Sequence, residues 1–271
     1  MTNPSRVLTG TEQYGSRAVT ADGSGSGDYV TIQAAIDAAQ SATPAAGSRW
    51  LVRVAPGEYQ EPLTLYDYID IAGFGAGYSS HLYSPANQAA VTNGAEATLS
   101  NLRLGGENDP VIQTGASFTG VMRFVDCVSD TDHDEVILFQ LVSGEVQVTG
   151  CHLTSQGRVF YLTTGTLKTC DSTFTRDGGE NEPPLEIAGA ATVEALRSSF
   201  HNTGSGGGAA VKITAGPTSA VFHHCTFRKA SGAYSIDTTV TPTVHISNSA
   251  ANAAVNPAIT GTHDVQVDAS Y

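Results

Sequence analysis

Val146–Leu153 reads VQVTGCHL, and Leu167–Phe174, 21 residues further on, reads LKTCDSTF. Both fit one template: apolar, any, apolar, any, any, small, any, apolar. Five more segments fit it, though not every slot is filled in each: ATLSNLRL (97–104), MRFVDCVS (122–129), VEALRSSF (193–200), AVFHHCTF (220–227) and VHISNSAA (244–251). Successive starts lie 25, 24, 21, 26, 27 and 24 residues apart. Alternation at period two marks strands with one buried face. Turn residues (Gly120, Gly144, Gly165, Pro217, Pro242) precede five of the segments. Between the segments lie shorter apolar runs: VIQT (111–114), VILFQL (136–141), VFYL (159–162), LEI (185–187) and AVKI (210–213). A repeat near 24 residues with two or three short strands implies a parallel β-solenoid, whose coils stack about 4.8 Å apart.

Stacked coils put like slots in columns. Leu102, Cys127, Cys151, Ser172, Ser198, Cys225 and Ser249 share one slot, and Phe174, Phe200 and Phe227 share the slot two residues later. The phenylalanines are expected to form an aromatic ladder. The three cysteines of the column are expected to be small core fillers with free thiols, because parallel stacked Cβ vectors make poor disulfide geometry.

Composition narrows the function. The chain has 271 residues, 14% of them charged, 29 glycines and a net charge of −13. That charge repels nucleic acid and anionic membrane. No run approaches the ~18 apolar residues of a membrane span, and residues 1–27 contain no apolar core of a Sec signal peptide. Three parts are expected: a polar arm (1–20), a capping segment (21–48) with a helix over about 31–41, and the solenoid (49–271). The helix is read from YVTIQAAIDAAQ (29–40), with Thr31 as N-cap and Ile32, Ala35, Ile36 and Ala39 on one face.

ADGSGSGDYVTIQAAIDAA (21–39), then VRVAPGEYQEPLTL (52–65) and IDIAGFG (69–75), resembles the opening of the pectin-lyase-like β-helix superfamily, nearest its pectinesterase branch. The resemblance implies an all-β, right-handed parallel β-helix of about eight or nine coils with an N-terminal capping helix. Pectinesterases of this kind use two aspartates, glutamines and an arginine, one aspartate as nucleophile and the other as acid/base. Seven residues after Cys127 stands Asp134, matching the first aspartate, with His133 where the family has glutamine. Seven after Cys151 stands Arg158 where the second aspartate belongs, and Asp109 stands near a further glutamine position. The arginine motif of the family has no counterpart. The catalytic set is not intact.

The sequence therefore leaves the acidic corner SDTDHDE (129–135) open to several readings. Its residues, with TSQGR (154–158) and TRDGGENEPP (175–184), should share one corner of the helix. They can be solvated turn residues. Asp130, Asp132 and Asp134 offer alternate oxygens as a calcium loop does, although no cofactor is required and the EF-hand pattern fails. Two of Asp109, Asp130, Asp132 and Asp134 could form a glycosidase-like carboxylate pair. Asp130, Asp132, Asp134, Glu135, Arg158 and Asp177 are the candidate binding residues, and Arg158 or Arg176 could answer carboxylates across a subunit interface.

The expected function is a non-catalytic structural β-helix on a virion surface, because tailed phages use proteins resembling this one as spikes, fibres and capsid decorations, usually as trimers. A homotrimer tethered to other virion proteins through residues 1–20 follows from that resemblance. The alternative is a carbohydrate-active enzyme or glycan-binding module that uses the acidic corner, extracellular without a Sec signal peptide. Neither nucleic acid nor membrane is an expected partner.

Overall fold

The computed structural model describes residues 17–84, 90–92, 96–106, 110–114, 116, 118–129, 138–179, 181–205, 208–216, 219–229, 234–257 and 263–267. The chain winds as a right-handed parallel β-helix behind one capping helix. A typical coil runs through Glu145–Thr149, a corner at Gly150, His152–Ser155, a loop, Phe160–Leu162 and a turn at Gly165. The first two strands of each coil belong to a bent sheet of nineteen strands, and the third to a sheet of nine. Pairing from coil to coil is parallel and in register, as in Val146↔Leu167↔Val193↔Ala220.

The expected columns are present. Leu102, Cys127, Cys151, Ser172, Ser198, Cys225 and Ser249 are all buried. They do more than fill space. The Cys127 amide donates to Cys151 Sγ at 3.3 Å, and the Cys151 and Cys225 amides donate to the hydroxyls of Ser172 and Ser249 at 3.1 and 3.0 Å. The column thus satisfies buried backbone donors at the corner, which is why Cys and Ser interchange there while apolar residues rarely serve. All four thiols are free. The hydrogen bond with Cys127 and burial push the Cys151 thiol up; burial pushes Cys225 up to about 11.

The residue just before this column turns the corner. Asn101, Asp126, Gly150, Asp171, Arg197, His224 and Asn248 all have φ between 46° and 66°, the left-handed region. One such residue per coil redirects the strand without a longer loop. Inside, Phe174, Phe200 and Phe227 stack as expected, with centroids 5.2 and 5.8 Å apart. The aromatic contacts continue edge-on to Phe160 at 4.9 Å, stacked to Phe139 at 5.1 Å and edge-on again to Phe124 at 4.8 Å.

The helix spans Ile32–Ser41, with Thr31 Oγ1 accepting from the Ala34 amide at 3.2 Å and the expected apolar face buried. Glu61 adds a second cap: its carboxylate accepts from the amides of Ile32 and Gln33 at 2.7 and 2.9 Å. A carboxylate at a helix N-terminus meets unpaired N–H groups and the positive end of the dipole. Gln33 in turn accepts from the Thr64 amide at 2.7 Å, and the Tyr59 hydroxyl donates within reach of the Ala21 and Ala55 carbonyls. The TIQ and PGEYQE motifs therefore fasten the cap to the first coil. Ala18–Ala21 pairs in parallel with Trp50–Val54 and so spans the expected boundary between arm and cap. Residues 1–16 lie outside the described residues.

Candidate functional site

Of the four residues read as remnants of a catalytic set, Arg158 is the one that lies within the described residues. It opens the strand Phe160–Leu162 at the corner loop, and its carbonyl accepts from the Leu138 amide at 3.0 Å. Leu138 stands eleven residues after Cys127, whereas Arg158 stands seven after Cys151. The coil of Cys127 has a longer loop, so equal spacing from the cysteine does not mean equal place in the coil. Asp109, Asp130, Asp132, His133, Asp134 and Glu135 themselves lie outside the described residues.

The Arg158 guanidinium is already engaged. Its Nε donates to Glu186 Oε2 at 2.5 Å, an Nη lies 2.7 Å from Glu182 Oε1, and its Cζ sits 5.3 Å from the centre of the Tyr161 ring. Glu186 Oε1 also accepts from the Thr214 hydroxyl at 3.4 Å. Glu186 sits between inward-facing Leu185 and Ile187, in register with Tyr161 and Lys212, so it belongs to the outer face. It is nevertheless only 7% exposed, because Arg158 and its neighbours cover it. A guanidinium fork bridging two carboxylates is a charge-assisted clamp with defined geometry. It ties the corner of one coil to the strand of the next.

Glu182 and Glu186 did not emerge from the sequence reading as site residues. A carboxylate in the outward slot of the apolar run LEI was the available signal for Glu186. Along the same outer row, Gln113 Nε2 donates to Gln140 Oε1 at 2.9 Å, and Asp237 Oδ1 accepts from Asn256 Nδ2 at 2.6 Å. The face carries polar groups that largely satisfy one another.

Asp177 is exposed at the corner, with its amide donating to the Ser155 carbonyl at 3.1 Å. Arg176 departs from the expectation of an interface residue: it is fully buried, and its Nε donates to the Gln156 carbonyl at 3.0 Å. Gly204 is required beside it, since a Cβ there would lie 2.1 Å from Arg176 Nη1 and from the Gly178 carbonyl oxygen. Arg176 organises the corner loops from within. Among the described residues, no group of three His, Cys, Asp or Glu side chains is arranged to hold a metal ion. The calcium candidates fall outside that set. Among the described residues, no helix is long and apolar enough to cross a membrane.

No model of a known protein family matches the chain, and no curated protein matches it either. Among solved structures, the A-module of a mannuronan C-5 epimerase from Azotobacter vinelandii is similar at 15% identity, covering 88% of this chain and 94% of that one, with a TM-score of 0.28. At that TM-score the likeness carries no argument about activity, and the fold assignment rests on the strand register.

Proposed function

We propose that this chain is a non-catalytic structural β-helix, displayed as a stiff homotrimeric rod on a virion surface and tethered there by its N-terminal arm. The observation that supports it is the Arg158 clamp. Where the pectinesterase pattern calls for a second carboxylate, the chain has an arginine committed to Glu182 and Glu186. A residue held in this way stiffens the coil and offers neither a nucleophile nor a free proton acceptor. Column hydrogen bonds and the phenylalanine stack suit the same role, because they lock successive coils together. Sedimentation equilibrium of the full chain tests assembly: the reading expects three times the 28.0 kDa protomer mass. A monomer across the accessible concentration range, or turnover of methylesterified or acetylated polysaccharide, would overturn it.

A second reading, a carbohydrate-active or glycan-binding module, is favoured by the outer row Gln113, Gln140, Tyr161, Glu186, Lys212 and Asp237. These planar amide, aromatic and charged groups repeat once per coil along the axis. Saturable binding of a neutral oligosaccharide that Gln140→Ala abolishes would favour this reading over the first.

A further inference from the structure

In a solenoid residue number becomes height, so charge can be followed along the axis. Residues 195–250 hold four cations (Arg197, Lys212, Arg228, Lys229), one carboxylate (Asp237) and four of the chain's eight histidines. The rest of the chain holds nine cations and twenty-five carboxylates. The coils toward the C-terminal end therefore form a basic band on an acidic solenoid.

Three histidines of the band share one corner. His223 ends the strand Ser219–His223, His224 turns the corner at φ 53°, and His245 opens the next strand in register with Val221. Alternation would bury one of two adjacent strand residues. The left-handed turn at His224 instead leaves both exposed, and His245 is exposed as well. The His223 ring meets the Ser247 hydroxyl, while the His224 and His245 side chains make no hydrogen bond or ion pair among the described residues. Beside His223 in the register stands Leu196. It is 36% exposed, one of two large apolar side chains exposed among the described residues; the other, Val30, precedes the capping helix. Half-buried Cys170 and Val221 flank it.

The charges that border this patch are matched to one another: Arg197 grips Asp171, and Lys168 lies 4.0 Å from Glu194. Asn248 follows at the corner, and Asp264 lies on the strand beyond, His263–Val267. Arg228 is engaged elsewhere and takes no part.

We propose that this corner docks a short acidic peptide segment of a partner protein, its carboxylates on His223, His224 and His245 and an apolar side chain over Leu196. An exposed imidazolium without an internal partner gains from a carboxylate, and the gain grows as pH falls, since histidine takes up its charge between about pH 8 and 5. From Leu196 to His245 is two rung spacings, about 10 Å, the span of about three extended residues. A sulfated glycan or a nucleic acid fits less well. Neither brings an apolar side chain to Leu196, and a long polyanion would run onto the acidic coils. This inference does not rest on the virion reading.

Fluorescence anisotropy of the full chain tests it with a labelled peptide of Glu-Glu-Leu repeats, with poly-L-glutamate and dextran sulfate for comparison. Measurements at about pH 5.5 and about pH 7.5 bracket the ordinary histidine value. The Glu-Glu-Leu peptide should bind at the lower pH and weaken by about tenfold at the higher, the sum of three exposed charge contacts. A triple variant, His223→Gln with His224→Gln and His245→Gln, should lose the same factor at the lower pH and match the original chain at the higher. Leu196→Ser should weaken the Glu-Glu-Leu peptide by about fivefold, the loss of one partly buried apolar contact, and leave poly-L-glutamate unchanged. His152→Gln, at an exposed histidine on another strand, should change nothing. Equal binding by the triple variant, an equal loss with His152→Gln, or no peptide binding at either pH would overturn the proposal. Binding of dextran sulfate but not of the peptide would also overturn it, in favour of a glycan partner. NMR of the unaltered chain serves where a variant folds poorly: the ring resonances of His223, His224 and His245 should shift on adding the peptide, while those of His152 stay in place.

Discussion

The Cys151 amide donates to the Ser172 hydroxyl one coil on, and that hydroxyl donates in turn to the Cys170 carbonyl, at 3.1 and 2.8 Å. Ser172 therefore closes a backbone donor and a backbone acceptor at a buried corner. Ser172→Ala should cost about 1–3 kcal/mol, the penalty for an orphaned buried donor. Ser172→Cys should lose much less, because Cys151 already plays the same part toward Cys127 at 3.3 Å. Urea midpoints of the two variants at constant slope check this. Equal losses would mean that the site measures volume rather than hydrogen bonding.

The Arg158 clamp makes a prediction of opposite character. Removing the arginine strands the Glu186 carboxylate in a site that is 7% exposed. Arg158→Ala should then destabilise the chain by about 2–4 kcal/mol, somewhat below a fully buried pair. Adding Glu186→Gln should restore part of the loss, since the neutral amide costs less to bury there. A double-mutant cycle on thermal unfolding measures this coupling. Additive losses would show Arg158 and Glu186 to be energetically independent, and the support that the clamp lends to a structural role would go.

How far the sequence carried this reading depended on what repeats. Val146, Leu167 and Val193 announced the buried face because period two survives in each coil, and the cysteine–serine column followed from equal spacing around the corner. The Thr31 cap and its helix were likewise local signals. Loop length does not repeat: Phe139 stands twelve residues after Cys127, while its register partner Phe160 stands nine after Cys151. Partnerships across a loop of variable length, such as Arg158 with Glu182, leave no periodic trace. Arg176 was legible as a corner residue but not as a buried one, because its burial depends on how neighbouring loops close over it.

The left-handed corner offers a stabilising change. His224 is exposed at φ 53°, a conformation that disfavours residues with a Cβ, and three coils away the same corner position is filled by Gly150 at 66°. His224→Gly should raise stability by about 1 kcal/mol, relieving most of the left-handed penalty against the extra freedom of the unfolded chain. His224→Val should lower it, since a β-branched residue fits this region worst. Melting temperatures of the pair decide the matter. A glycine variant less stable than the original would mean that the imidazole makes contacts worth more than the strain.

His201 ties the stability of the helix to pH. Burial, then Arg228 and His152, hold its pKa below the ordinary 6.5, so the unfolded chain takes up this proton at a higher pH than the folded chain does. Between those two values the unfolded state binds more protons, so stability must fall as pH drops through the window and rise again as pH increases. The facing groups from the packed strands are His152, Thr154, Thr175 and Arg228, with Asp177 at the border. Asp171 also loses stabilisation on acidification, because Arg197 holds its pKa below 3.8, but that loss comes at much lower pH and is separable. His201→Gln should therefore flatten the stability profile just below neutrality and leave the acid limb intact. Urea titrations at intervals across the range measure the slope. A variant profile that superimposes on the original would assign the slope to other histidines and remove His201 from the account.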